Sequence, residues 1–245
     1  MTFVLYIPIA TTVLALAFTV VLIHRWRTRR SGPHLLWWAF GTFTYALGTI
    51  TESLTSVIGW HEPIFRAWYI TGALLGGAPL AQGTVYLLLP RRTANRLSAA
   101  LIAVILFGSI CVLLSPIHHD LVEPYHLRGK VLAWSWVRAV SPFINLYALI
   151  FLVGGAIVSA LRYRAQRDSR HRFIGNVLIA IGAILPGIGG SFTRFGYTEV
   201  LYVTEFIGLA LIFAGYRYNT VGGLLGGPEI EGPLVAETVY RQPGA

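Results

Sequence analysis

The 245-residue chain has one cysteine, one lysine and few charges, and each scarcity removes a class of explanation. Cys111 alone permits no intramolecular disulfide, and its apolar neighbours mark it as a packing residue in a helix. Lys130 falls in a loop between apolar runs, so no lysine stands inside a helix to form a retinal Schiff base. None of the seven histidines lies within an apolar run: His24, His34 and His171 sit at one edge, and His61, His118, His119 and His126 at the other. That placement excludes an intramembrane zinc hydrolase built on helical histidines. Gly-x-Ser-x-Gly, His-Glu-x-x-His and a phosphate-cradling glycine loop are all missing, so no catalytic residue is assigned and no cofactor is expected.

Charged residues make up 12% of the chain and hydrophobic ones 55%, the balance of a polytopic membrane protein. Runs of about 20 apolar residues, enough for a roughly 30 Å hydrocarbon layer, can be drawn at about 3–23, 35–58, 67–89, 97–116, 138–161, 173–193 and 199–217. The expected fold is an all-α integral membrane protein of seven transmembrane helices over residues 1–218. Residues 219–245, rich in Gly and Pro, read as a disordered cytoplasmic tail. The first run has no basic segment before it and no cleavage-type small residues after it, so it reads as a retained helix.

Fourteen of the nineteen basic residues fall in the 1–2, 3–4 and 5–6 connections and near the carboxyl end; the other side has Arg66, Arg128, Lys130, Arg138 and Arg194. Cytoplasmic loops accumulate positive charge, which predicts an outer amino terminus and a cytoplasmic carboxyl terminus. The same asymmetry accounts for the net charge of +9. No basic segment forms a domain of its own, so the expected partner is the lipid bilayer and not nucleic acid.

Helix two divides into two stripes. Leu36, Phe40, Phe43, Leu47, Ile50, Leu54 and Val57 make a face for lipid, and Gly41, Tyr45, Gly48, Glu52 and Thr55 make a face for another helix or a cavity. A carboxyl in hydrocarbon costs several kcal/mol unless paired, protonated or wetted, so Glu52 is a site candidate. Helix seven places Glu205 at the matching depth: six or so residues at 1.5 Å each put both acids roughly 9 Å below the outer surface. Asn145 of helix five falls within a turn of that level, and Arg66, Arg138 and Arg194 stand at the outer mouths of helices three, five and six. In helix three, Pro79 predicts a kink whose freed carbonyls Gln82 could serve, and Trp68, Gly72 and Gly76 line one side. Helix six presents Asn176, Ala180, Ala183, Gly187 and Gly190 on one face, a stripe for central packing, while helix one is expected at the rim.

The ligand-binding candidates are therefore Glu52, Glu205, Arg194, Asn145, Trp68, Gln82 and Arg138. The same groups could instead form a purely structural network, with arginine or a shared proton neutralising the acids, or a path for protons or ions. In the outer loop His118, His119 and His126, with Asp120 and Glu123, are candidate zinc or copper ligands, although none of the regular zinc spacings is present.

Trp37-Trp38 with Glu52, Phe65-Arg66-Ala67-Trp68 leading to Pro79 and Tyr86, Ser115-Pro116-Ile117-His118-His119, and Arg170-His171-Arg172 leading to Ile184-Leu185-Pro186-Gly187 occur in an order that resembles a known family. It is the seven-helix membrane sensor region at the amino terminus of some bacterial histidine kinases. The resemblance spans about four-fifths of the chain and implies a sensor-type unit in a bacterial plasma (inner) membrane, where no kinase, cyclase or coiled-coil linker follows helix seven. Such a unit would signal through a partner membrane or signalling protein. The expected function is receptor- or sensor-like, with a small polar or amphipathic ligand in the outer half. The alternatives are a membrane-embedded enzyme using Glu52 and Glu205 as acid and base on lipid, and a structural subunit of a larger membrane complex.

Overall fold

A computed structural model describes residues 6–29, 32–165 and 169–221, with the side chain of Arg194 outside that description. The glycine- and proline-rich segment 222–245, assigned above to the tail, lies outside the described residues, whereas 219–221 complete the last helix. The described chain is helical: α1 (Ile7–Arg29), α2 (Pro33–Ile58), α3 (Glu62–Trp68), α4 (Ala78–Leu88), α5 (Arg91–Leu114), α6 (Val140–Ala148), α7 (Gly154–Tyr163), α8 (Arg170–Phe192) and α9 (Thr198–Val221). Among the described residues the only strand-like pairings are two isolated bridges in the loop after α5, Ile117 with Leu132 and Glu123 with His126.

Among the described residues, five helical stretches are long and apolar enough to cross a membrane: α1, α5, the continuous Ser135–Tyr163 column containing α6 and α7, α8, and α9. The other two expected runs form helices of a different character. α2 is 26 residues long but buries six Thr and Ser hydroxyls and Glu52 on its inner face. The third run is broken. A π-helical segment, Tyr69–Leu75, follows α3, and the chain then turns at Gly76, whose φ of +27° is strained for any residue with a Cβ.

Pro79 accordingly does not kink a continuous helix. It occupies the first turn of α4, where its missing N–H leaves no bond unmade. Gln82, expected to serve freed carbonyls at a kink, points instead toward α5.

The two faces of α2 separate as the periodicity predicts. Leu36, Phe40, Phe43, Leu47, Ile50, Leu54 and Val57 are all exposed. Gly41, Gly48, Glu52 and Thr55 are buried and Tyr45 is half-buried. Solvent-facing apolar side chains one turn apart along a whole helix are the face that lipid covers.

α1 is tied in more firmly than a rim helix would be. The Thr12 and Thr49 hydroxyls lie 2.8 Å apart and those of Thr19 and Thr42 2.7 Å apart, each a buried bond between α1 and α2. Phe18 stacks obliquely on Phe213 and Tyr216 of α9, with centroids at 4.9 and 5.3 Å. Interhelical bonds of this kind contribute about 0.6 kcal/mol on average and up to about 1.7. Thr12→Val and Thr19→Val should each lower stability within that range, read as thermal unfolding in detergent.

The closest helix pair is α8 with α9. A Cβ at Gly175 would stand 2.7 Å from the Gly215 carbonyl oxygen, and one at Gly182 would stand 2.5 Å from that of Gly208. Glycines spaced by seven on each helix therefore face one another across an antiparallel seam. Of the stripe expected to pack, Ala180 is buried, Ala183 packs against the core and Asn176 bonds Asn219 of α9, whereas Gly187 and Gly190 have no atom within 4 Å of where a Cβ would be. Helix six of the sequence reading thus packs centrally, most closely through its Gly175, Gly182 and Gly189 face.

Candidate functional site

Glu52 and Glu205 meet. Antiparallel α2 and the third column touch where Gly48 faces Gly72, with a Cβ on Gly48 at 3.5 Å from the Gly72 Cα. One turn beyond Gly48 is Glu52, and one turn before Gly72 is Trp68, so the glycine contact brings that pair into register. Trp68 donates its indole N–H to Glu52 Oε1 at 2.9 Å. Glu52 is only 4% exposed.

From α9, Glu205 brings its carboxyl within interaction range of Glu52. Tyr45 of α2 fixes this approach by donating its hydroxyl to the Glu205 main-chain carbonyl at 3.2 Å. Tyr202, one turn before Glu205, interacts with both acids and with the Ser56 hydroxyl. Oε2 of each glutamate is buried and receives no donor from another residue. The two carboxyls lie within hydrogen-bonding reach of each other in an apolar surround, so they do not both carry charge unless a cationic group joins them; a proton shared between them leaves the pair with one negative charge.

Of the expected arginine counter-charges, Arg66 is engaged elsewhere, Arg138 lies near Tyr69, and the side chain of Arg194 lies outside the described residues. Arg66 binds Glu62 at 2.6 Å and donates to the carbonyls of Val112 and Ser115, fastening α3 to the end of α5. Arg138 interacts with Tyr69, on the column that carries Trp68. Asn145 is an exposed residue of α6 whose side-chain oxygen lies beside the Gly76 turn. Of the ligand-binding candidates whose side chains are described, then, Glu52, Glu205 and Trp68 come together. Tyr45, Tyr202 and Ser56 join them, and of these Tyr45 already stood on the polar stripe of α2.

Gln82 belongs to a separate relay. Tyr147 donates to the Gln82 amide oxygen, Gln82 donates to Ser98 at 2.7 Å and to the Ala94 carbonyl at 3.1 Å, Ser98 donates to Tyr86 at 3.0 Å, and Tyr86 donates to Asn95 at 2.8 Å. Gln82 is fully buried with its amide satisfied. The relay ties α4, α5 and α6 together and holds no unpaired group that a ligand would need.

The loop histidines do not converge. His118 lies 4.0 Å from Asp120, His126 lies 3.7 Å from Glu123, and His119 packs edge-on against Trp60. Glu123 is drawn to Arg128 at 2.6 Å and has Lys130 at 3.9 Å, so its carboxylate is neutralised by base. Among the described residues no three His, Cys, Asp or Glu side chains are placed to hold a metal ion.

Comparison with protein-family models, curated proteins and solved structures finds no match to this chain.

Proposed function

We propose that the chain is a receptor- or sensor-like membrane protein whose Glu52–Glu205 pair binds a small polar ligand through a cationic or hydrogen-bond-donating group. The observation that carries this reading is the convergence of two acids from α2 and α9, facing each other, with a buried Oε2 on each that receives no donor from another residue. An aromatic donor, Trp68, orients one carboxyl, and two tyrosines flank the pair, a surround suited to an amphipathic cation. The likeness to histidine-kinase sensor regions supports the same assignment.

Purification in mild detergent, followed by mass spectrometry of retained small molecules, tests the proposal. A cationic or amine-bearing molecule should accompany the wild-type chain and be lost from the Glu52→Gln/Glu205→Gln double variant. Retention unaffected by both substitutions overturns it.

With the site goes a topology of seven spans, amino terminus outside and carboxyl terminus cytoplasmic, supported by the distribution of arginine. His61 and Arg92 are exposed at opposite ends of the third run. In a Cys111→Ala background, His61→Cys should react with an impermeant maleimide on intact cells and Arg92→Cys only after permeabilisation. Labelling of both from one side would contradict the proposed topology.

A further inference from the structure

At the opposite end of the bundle, α1, α2, α4, α7, α8, α9 and the turn before α7 line a cavity of about 90 Å³. We infer that it binds the head and first carbons of an anionic amphiphile, a carboxylate or phosphate bearing an alkyl chain. It is distinct from the acid pair: Trp38, near the start of α2, lines it, whereas Glu52 lies near the end of that helix.

Leu88, Leu152 and Ile212 wall the cavity, and such a surface gains contacts when hydrocarbon fills it. Arg172, Asn176 and Asn219 form its polar rim. Arg172 spends one N–H on Tyr163, at 3.3 Å to the hydroxyl, and its guanidinium stacks over that ring at 5.5 Å. Its Nε is buried without a hydrogen-bond partner. Asn176 holds the neighbouring backbone by donating to the Arg172 carbonyl at 2.8 Å, and a weaker bond at 3.4 Å links it to Asn219.

The sign of the ligand follows from the charges. No Asp or Glu lines the cavity among the described residues, while a second guanidinium, Arg25, stands 5.8 Å over Tyr216 on the facing wall. A guanidinium lining an apolar slot, with no acid beside it among the lining residues, selects an anion with a hydrocarbon stem. The volume is below that of a cavity of roughly 150 Å³ that holds benzene, so it accepts a chain segment and not a whole lipid.

The test uses the full chain in phosphatidylcholine nanodiscs, with tritiated decanoate as probe and scintillation proximity as readout. Saturable binding is expected, weakened roughly tenfold or more in Arg172→Gln, as loss of a charged hydrogen bond implies. Arg172→Lys should recover part of it, Ser159→Phe should block it by filling the cavity, and Glu52→Gln should leave it unchanged. Decanol should fail to compete. Competition by phosphatidylglycerol added to the nanodisc identifies a membrane headgroup as the source, and its failure to compete identifies a free carboxylate; both support the shared chemistry. Equal competition by decanol, binding untouched by Arg172→Gln, or no saturable binding of decanoate would overturn the inference.

Discussion

Leucine in place of Gly182 or Gly208 is expected to prevent the bundle from assembling, whereas alanine at Gly187 or Gly190 is expected to leave it intact. Gly182 and Gly208 face each other, so that a Cβ on either would stand 2.5 or 2.6 Å from the partner's carbonyl oxygen. Backbone cannot swing aside as a flexible side chain does. Even alanine at these sites should cost about 1–3 kcal/mol through forced separation of the helices, and leucine considerably more. Without a water-driven hydrophobic term between helices in lipid, close backbone contact is the chief source of association, so little else compensates. Gly187→Ala and Gly190→Ala place a methyl in open space and should fall within about 0.5 kcal/mol of wild type. Size-exclusion profile and thermal unfolding in detergent separate the two sets.

At Glu52, two substitutions of similar size should part company. Glu52→Gln keeps an oxygen for the Trp68 indole and so should hold the fold within about 1 kcal/mol of wild type. Glu52→Leu strands that buried N–H and should cost about 1–3 kcal/mol. The cost stays below the 3–5 kcal/mol of a broken buried ion pair because no described arginine loses a partner. Both variants should weaken retention of the polar ligand, since each removes one of the two carboxyls that hold it. Thermal unfolding alongside mass spectrometry of bound molecules reads the two effects separately. A destabilised glutamine variant would show that the charge itself holds the helices together.

Much of this was legible in the chain because helical periodicity reports exposure directly. The steps of three and four from Leu36 to Val57 mark a lipid face without reference to any neighbour, and the complementary stripe carries Tyr45, Gly48 and Glu52. Depth counted from helix ends likewise set Glu205 level with Glu52. Partner choice was not legible. Arg66, Arg138 and Arg194 stand near the same level, but whether an arginine turns to an acid or to carbonyls depends on which helix adjoins it, and Arg66 turns to Glu62 and the end of α5.

The small residues of α8 marked central packing but left its closest seam unspecified for a related reason, Gly187 and Gly190 being open while Ala180 is buried. Gly175, Gly182, Gly187, Gly189 and Gly190 surround much of its circumference, so several stripes fit equally well. What selects one is the matching spacing of seven between Gly208 and Gly215 on α9. In the third run, the Gly76-Gly77 pair before Pro79 was the available signal for a helix stop and restart, overridden by the apolar character around it. The cavity at the arginine-rich end left no mark in the sequence, because it arises where segments far apart in the chain diverge.

The central claim is that Glu52 and Glu205 act as one site, and a double-mutant cycle on Glu52→Gln and Glu205→Gln tests it most directly. Stability of the wild type, both single variants and the double variant should give a coupling of about 1 kcal/mol or more, as for groups in contact. Either single substitution relieves the carboxyl–carboxyl conflict, and the second then adds little. Effects that add within about 0.3–0.5 kcal/mol would mean that the two acids do not act on each other, and the proposed site would be contradicted.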